Sequence, residues 1–144
     1  MRHAAAVPAA LGHSDFDRAL SGAGRAAAAQ AAHRLAAVGI RLERVLYSPA
    51  RRTHETAMIV ARELELDSAV LTPVPELYSA SPPTIREAIR RFHGAASVLM
   101  VIGHNPGISD LGRELDSGHS RDQLPTAGFW RIPLEAGASG GLAR

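Results

Sequence analysis

Apolar and polar positions follow one another along this chain in blocks whose period switches between strand and helix. The clearest block is 98–102, five consecutive apolar residues between Ser97 and Gly103. A short unbroken apolar run rich in β-branched residues predicts a strand buried on both faces, central in a parallel sheet. Residues 44–47 predict a second strand, stopped by Ser48-Pro49. A weaker strand is expected over 69–74, closed by Pro73 and Pro75, and a last one over 128–134 with Trp130 and Ile132.

Helical spacing fills the gaps. Ser21 can cap a helix that is nearly all alanine over 25–38, with Leu35 and Val38 as its modest apolar face and Gly39 as its stop. Residues 50–64 predict a second helix with Ala57, Ile59, Val60 and Leu64 inward. Pro82-Pro83 starts a third, ending near Phe92, with Ile85 and Ile89 on one face. A fourth runs from Pro106 to about Leu115, with Asn105 as its cap. Residues 1–20, 76–81 and 116–125 read as loop. Strands alternating with helices predict an α/β fold, a mostly parallel central sheet with helices on both faces. One domain over 1–135 and a Gly/Ala/Ser tail over 136–144 account for the length.

Composition removes several kinds of chemistry. There is no Cys, which excludes a disulfide scaffold, thiolate zinc sites and cysteine nucleophiles. All 16 basic residues are Arg, interleaved with 14 acids for a net charge of +2, so no basic stripe marks a nucleic-acid partner. No apolar run reaches membrane-spanning length, and Pro8 and Gly12 break the Ala-rich start before it resembles a signal peptide. A cytoplasmic protein without a membrane partner is the expectation.

Three polar clusters fall in equivalent places. His104 follows the strand at 98–102, Ser48-Pro49-Ala50-Arg51-Arg52 follows the strand at 44–47, and Arg2-His3 heads the chain. Ligands bind outside the carboxyl ends of strands in open α/β sheets. If Met1 ends a first strand, all three clusters lie on that edge, beside helix N-termini that attract anions. Taken alone, His104 reads equally well as a polar turn residue. Together, two imidazoles and arginine forks suit phosphoryl transfer through histidine: a neutral ring attacks phosphorus while guanidinium groups hold the oxygens.

In these positions the chain resembles the histidine phosphatase superfamily, the phosphoglycerate-mutase-like fold, and within it the short SixA-type phosphohistidine phosphatases. The resemblance rests on five ordered segments. Arg2-His3 matches the opening pair, and Ser14-Asp-Phe-Asp-Arg-Ala-Leu20 with Gly24-Arg25 matches the acidic stretch. Ser48-Pro49-Ala50-Arg51-Arg52 with Thr56-Ala57, Gly103-His-Asn-Pro106 and Pro125-Thr126 match the rest. It spans residues 1 to about 134, with the family's phosphate-binding arginine falling on Arg52 and Arg51 left as a neighbour.

The resemblance implies that His3 is the phosphorylated nucleophile, with Arg2, Arg52 and His104 completing a phosphate pocket and His104 assisting proton transfer. Asn105 and Glu76 are carried as further substrate contacts. It implies no metal and no cofactor. The partner it implies is a phosphorylated protein, foremost a phosphohistidine, or else a small phosphate ester. A phosphate-binding module with impaired catalysis is the non-enzymatic alternative.

Two departures from the family stand out. Its first strand is represented here by Met1 alone, so the fold is expected with that strand truncated. A start upstream of Met1 is the corresponding expectation, with a form longer by one strand more stable and faster. The family's leaving-group acid has no counterpart at Leu77-Tyr78-Ser79, leaving Glu76, Asp15 and Asp17 as alternatives, each of which also fits a surface position. His13, His33, His93 and His119 read as bland, and His54 faces either the pocket mouth or solvent. Three other motif fragments fail. His54-Glu55 lacks a second zinc-ligating His, and Gly107-Ile-Ser109 lacks the closing Gly of a hydrolase elbow. Gly22-Ala-Gly24 follows charged loop rather than a buried strand.

Overall fold

The computed structural model describes residues 1–12, 14–116 and 122–133. Its strands are β1 (Arg44–Tyr47), β2 (Leu71–Pro73) and β3 (Leu99–Ile102). Its helices are α1 (Gly22–Ala37), α2 (Arg51–Glu63), α3 (Pro82–Phe92) and α4 (Gly107–Leu115). Short 3-10 turns stand at Asp15–Asp17, Ser68–Val70 and Pro75–Leu77. The last two take up the ends of segments read as strand or loop.

The sheet is parallel, in the order β2-β1-β3, so the middle strand is β1 rather than the apolar run at 98–102. That run is nonetheless bonded on both edges. Beyond β3, Arg2 bridges Gly103 in parallel. The Gly103 amide donates to the Met1 carbonyl at 3.1 Å, the His3 amide to the Gly103 carbonyl at 3.1 Å, and the Met1 amino group to the Val101 carbonyl at 2.8 Å. Residues 1–3 thus join the sheet edge beyond β3 through a single bridge.

Side chains alternate across this sheet with the strand period of two. Val45, Tyr47, Met100 and Ile102 pack on α1 and α2, while Leu46 and Val101 pack on α3 and α4. Helices therefore cover both faces, and the strands have to be apolar throughout. Leu46 and Ile102 are fully buried, each contributing about 1.5–3 kcal/mol.

The alanines of α1 allow close approach. Ala28, Ala31, Ala32 and Leu35 are buried, and the Ser21 hydroxyl oxygen accepts the Gly24 amide at 3.0 Å as the cap. A Cβ on Gly24 would stand 2.0 Å from the Ala5 carbonyl oxygen, so only glycine lets the helix seat against the first loop. Val38 does not join the core; it follows the last turn of α1 and is 60% exposed. In α2, Ala57, Ile59 and Val60 are buried, and Leu64, just past its last turn, is partly so. In α3, Ile85 is buried and Ile89 packs half-buried beside it.

Two expectations at the end of the chain need correction. Asn105 does not cap α4: Pro106 holds that position, and the Asn105 amide oxygen accepts the Ser109 hydroxyl at 2.6 Å. Residues 128–133 form no strand. The Arg2 amide reaches the Gly128 carbonyl at 3.0 Å and the Ala127 amide the His3 carbonyl at 3.2 Å, and no ladder follows. Trp130 packs instead over α4, where a Cβ on Gly112 would lie 2.3 Å from its ring. Leu134 and the tail at 136–144 lie outside the described residues. Among the described residues no helix is long and apolar enough to cross a membrane.

Candidate active site

The carboxyl ends of β1 and β3, together with the bridge at Arg2, set three backbone segments side by side. From these rise Ser48, His104 and His3. Arg52 comes from the first turn of α2, a helix whose N-cap residue, Ala50, makes no side-chain bond. A cation at the positive end of an uncapped helix is locally unfavourable. Its compensation is tertiary, because Arg52 is only 5% exposed and its guanidinium is almost fully engaged.

Arg52 Nε donates to His3 Nε2 at 3.3 Å, and Nη2 donates to His104 Nδ1 at 3.2 Å. Nη1 donates to the Asp15 carbonyl at 2.6 Å, and Nη2 also meets Asp15 Oδ2 at 3.0 Å. Arg51 points the other way, exposed and paired with Glu55 at 2.9 Å. Sequence neighbours on a helix lie about 100° apart, so only one of them can face the pocket.

These bonds fix both tautomers. His3 Nδ1 stands 2.7 Å from the Ala4 carbonyl, which can only accept, so Nδ1 carries the hydrogen and Nε2 keeps its lone pair. His104 Nδ1 accepts from a guanidinium, so its hydrogen is on Nε2, donated to the Ser48 hydroxyl oxygen at 2.8 Å. The rings are 5.2 Å apart between centroids. Thr56 secures the arrangement, accepting the Ala4 amide at 3.1 Å and donating to the Arg52 carbonyl at 2.6 Å.

Burial, followed by the charges of Arg52, Arg2 and Arg18, lowers the His3 pKa to about 4 against the opposing Ala4 bond. Burial, then Arg52 and His3, lowers that of His104 to about 3, with Asp15 opposing. Both rings are neutral at pH 7. Their ring-proton resonances should stay unshifted in NMR titrations down to about pH 5, since a neutral imidazole gains its proton only near its own pKa. The unfolded chain, with histidines at about 6.5, binds more protons in this window. Stability should therefore fall as pH drops from about 6.5 towards about 4. A midpoint near 6.5 for either ring would contradict the site as described.

Arg2 donates through Nη1 to the Leu124 carbonyl at 3.1 Å, and its Nε is buried without a partner. Asn105 supports the same carbonyl through Nδ2 at 2.9 Å, so its side chain acts on the loop that holds Arg2. Asp15 lies in the cluster, bound by Arg18 and by the Tyr78 hydroxyl, each at 2.9 Å. The Arg18 bond first, then Tyr78 and Arg52, lower its pKa to about 2, so it is ionised and holds no proton to give.

Glu76 is not brought to the cluster: its carboxylate pairs with exposed Arg91 at 3.1 Å. Asp17 is exposed. His54 is exposed beside Tyr47, His33 pairs with Glu63 at 3.0 Å, and His93 ends α3. His13 and His119 lie outside the described residues. The sequence did not reveal Tyr78 as a partner of Asp15, for no local pattern couples positions on separate loops. Ser48 as the partner of His104 was signalled only by its place in the Ser-Pro segment. Among the described residues no group of three or more His, Asp or Glu is placed to hold a metal ion.

A family model described as the histidine phosphatase superfamily (branch 1) matches residues 1–78. The solved structure of a phosphohistidine phosphatase SixA assignment from Agrobacterium tumefaciens is similar, with 29% identity, a TM-score of 0.79, and 88% of this chain and 84% of that one covered. A protein histidine phosphatase SixA complexed with tungstate matches with 28% identity and a TM-score of 0.76, over 88% of this chain and 80% of that one. A Picosynechococcus sp. protein of unassigned function is 27% identical over 96% of this chain and 84% of its own length.

Proposed function

Because the chain belongs to the histidine phosphatase superfamily, we propose that it is a phosphatase in which His3 Nε2 attacks phosphorus, acting on phosphohistidine in proteins. The observation that carries this reading is the His3 tautomer. Its Nδ1–H is tied to the Ala4 carbonyl, and its Nε2 lone pair meets a guanidinium within the pocket. A neutral, oriented imidazole beside fixed positive charge is what in-line attack on a phosphoryl group requires.

The phosphoryl group enters between His3 and His104 and draws Arg52 donors to its oxygens, and His3 Nε2 is released from Arg52 Nε only as its lone pair turns to phosphorus. Arg2 adds a second positive charge. As the bond from His3 Nε2 to phosphorus forms, the bond from phosphorus to the leaving atom breaks. Water then attacks the phosphohistidine, releasing phosphate and restoring the Nε2 lone pair. The arginines offset charge that develops on the equatorial oxygens in both steps.

The substrate class follows from the leaving group. An alkoxide leaves only if an acid protonates it, whereas a protonated imidazole leaves as a neutral molecule. Among the described residues the one carboxylate in the cluster, Asp15, is ionised, and Glu76 is spent on Arg91. The relative that holds tungstate, a tetrahedral oxyanion like phosphate, lends support to the pocket assignment.

The test compares kcat/KM on a phosphohistidine-bearing protein and on an alkyl phosphomonoester. At least about a hundredfold preference for the former is expected, the usual worth of a missing general acid. Faster turnover of the alkyl ester would reject the substrate class and favour a small-molecule phosphomonoesterase. Vanadate binding without turnover of either would favour the binding module.

A further inference from the structure

We propose that Asp15 sets the affinity of the phosphate pocket: its carboxylate holds the Arg52 donors in the resting site, and the phosphoryl group binds by displacing it. This rests on the reading of the pocket given above. It follows from a count of donors. A guanidinium has five N–H groups. In Arg52, Nε is committed to His3, Nη2 is committed to Asp15 Oδ2 and His104, and Nη1 is committed once, to the Asp15 carbonyl. One N–H is left over. A phosphoryl group gripped at two points needs at least two, so it must take one from Asp15 or from an imidazole.

Asp15 is the group able to yield. Its side chain is 49% exposed on a three-residue 3-10 turn, while the Arg52 side chain is 7% exposed and anchored in α2. The carboxylate also has somewhere to go, because Oδ1 is already bound by Arg18 at 2.9 Å. Charge points the same way. A carboxylate and a phosphate dianion cannot share one guanidinium without repulsion, and an incoming phosphoryl group would meet Asp15 at the same nitrogen atoms.

Tyr78 is the positioning residue of this arrangement. Its hydroxyl donates to Asp15 Oδ2, the oxygen that faces Arg52, and its ring packs edge-on against Phe16 with centroids 5.1 Å apart. The turn carrying Asp15 is thereby fastened to the residue at 78 and kept over Arg52. Each anion that binds pays for opening this contact, and Asp15 recaptures Arg52 when product phosphate leaves.

The test is calorimetric titration of orthovanadate into the wild-type protein, Asp15→Asn and Tyr78→Phe. Asp15→Asn should bind about fivefold more tightly, the upper range for one exposed ion pair, and inorganic phosphate should inhibit it more strongly. Tyr78→Phe keeps the charge and loses one anchor, so about a twofold gain is expected. A merely structural role would weaken binding, the opposite direction. Unchanged or weaker vanadate affinity in Asp15→Asn overturns the proposal, and if that variant is locally disordered, unchanged or weaker affinity in Tyr78→Phe does so. No vanadate binding by any of the three proteins overturns the phosphate pocket and this inference together.

Discussion

Replacing His3 with alanine is expected to lower turnover by at least about ten-thousandfold, the order seen when a covalent nucleophile is removed. Among the described residues, the ring supplies the only imidazole lone pair in the cluster whose other nitrogen is tied to a backbone carbonyl, which fixes its orientation. His104 is held differently, with its Nε2 hydrogen on the Ser48 hydroxyl and its Nδ1 on Arg52 Nη2, so it is not expected to substitute. Brief exposure of the wild-type protein to labelled substrate should give a phosphoenzyme stable in base and lost in acid, as a phosphorus–nitrogen bond is. His3→Ala should give none while melting as a folded protein, since the backbone bonds of residue 3 to Gly103 and Ala127 do not involve the side chain. A base-labile label, or one that survives His3→Ala, rejects the assignment.

Arg52→Ala should cost at least about a thousandfold in kcat/KM, whereas Arg51→Ala should change it by about twofold or less. Arg52 has two nitrogen atoms directed at the imidazoles and is nearly buried, so removing it strips several donors from a site where water does not replace them. Arg51 is exposed and paired with Glu55 along the helix, an interaction worth about 0.3–0.5 kcal/mol. Parallel vanadate titrations should separate the same two variants. Equal losses would reject the register through Ser48-Pro49-Ala50-Arg51-Arg52.

The α/β class was legible because its signal is local. An apolar run at 99–102, an amphipathic repeat in α2, and Ser21 ahead of an alanine-rich stretch each specify their element over a few neighbouring residues. Helix α3 begins and ends where Pro82 and Phe92 foretold, since proline at a first helical turn leaves little choice. The segment at 128–133 failed for the opposite reason. Its alternation suits a strand, but a strand exists only where a partner offers a ladder, and Trp130 gains more by packing on Gly112.

The residues of the site divide in the same way. Arg2, His3, Arg52 and His104 could be chosen from the chain because each stands at or just beyond the junction of predicted elements, and three short polar clusters point at one edge of a sheet. Which of them meet, and in what protonation state, belongs to the tertiary structure. The Ala4 carbonyl and the Ser48 hydroxyl select the tautomers, burial lowers the imidazole pKa values, and Arg52 joins the two rings. Asp15 and Tyr78 are 63 positions apart and meet at 2.9 Å. Glu76, two residues from Tyr78, turns away to Arg91. Sequence by itself determined the elements and the residue types available at their ends, because those depend on neighbours in the chain. Only the folded structure decided which carboxylate faces the arginine and which nitrogen of each histidine keeps its lone pair, because hydrogen bonds and desolvation depend on neighbours in space.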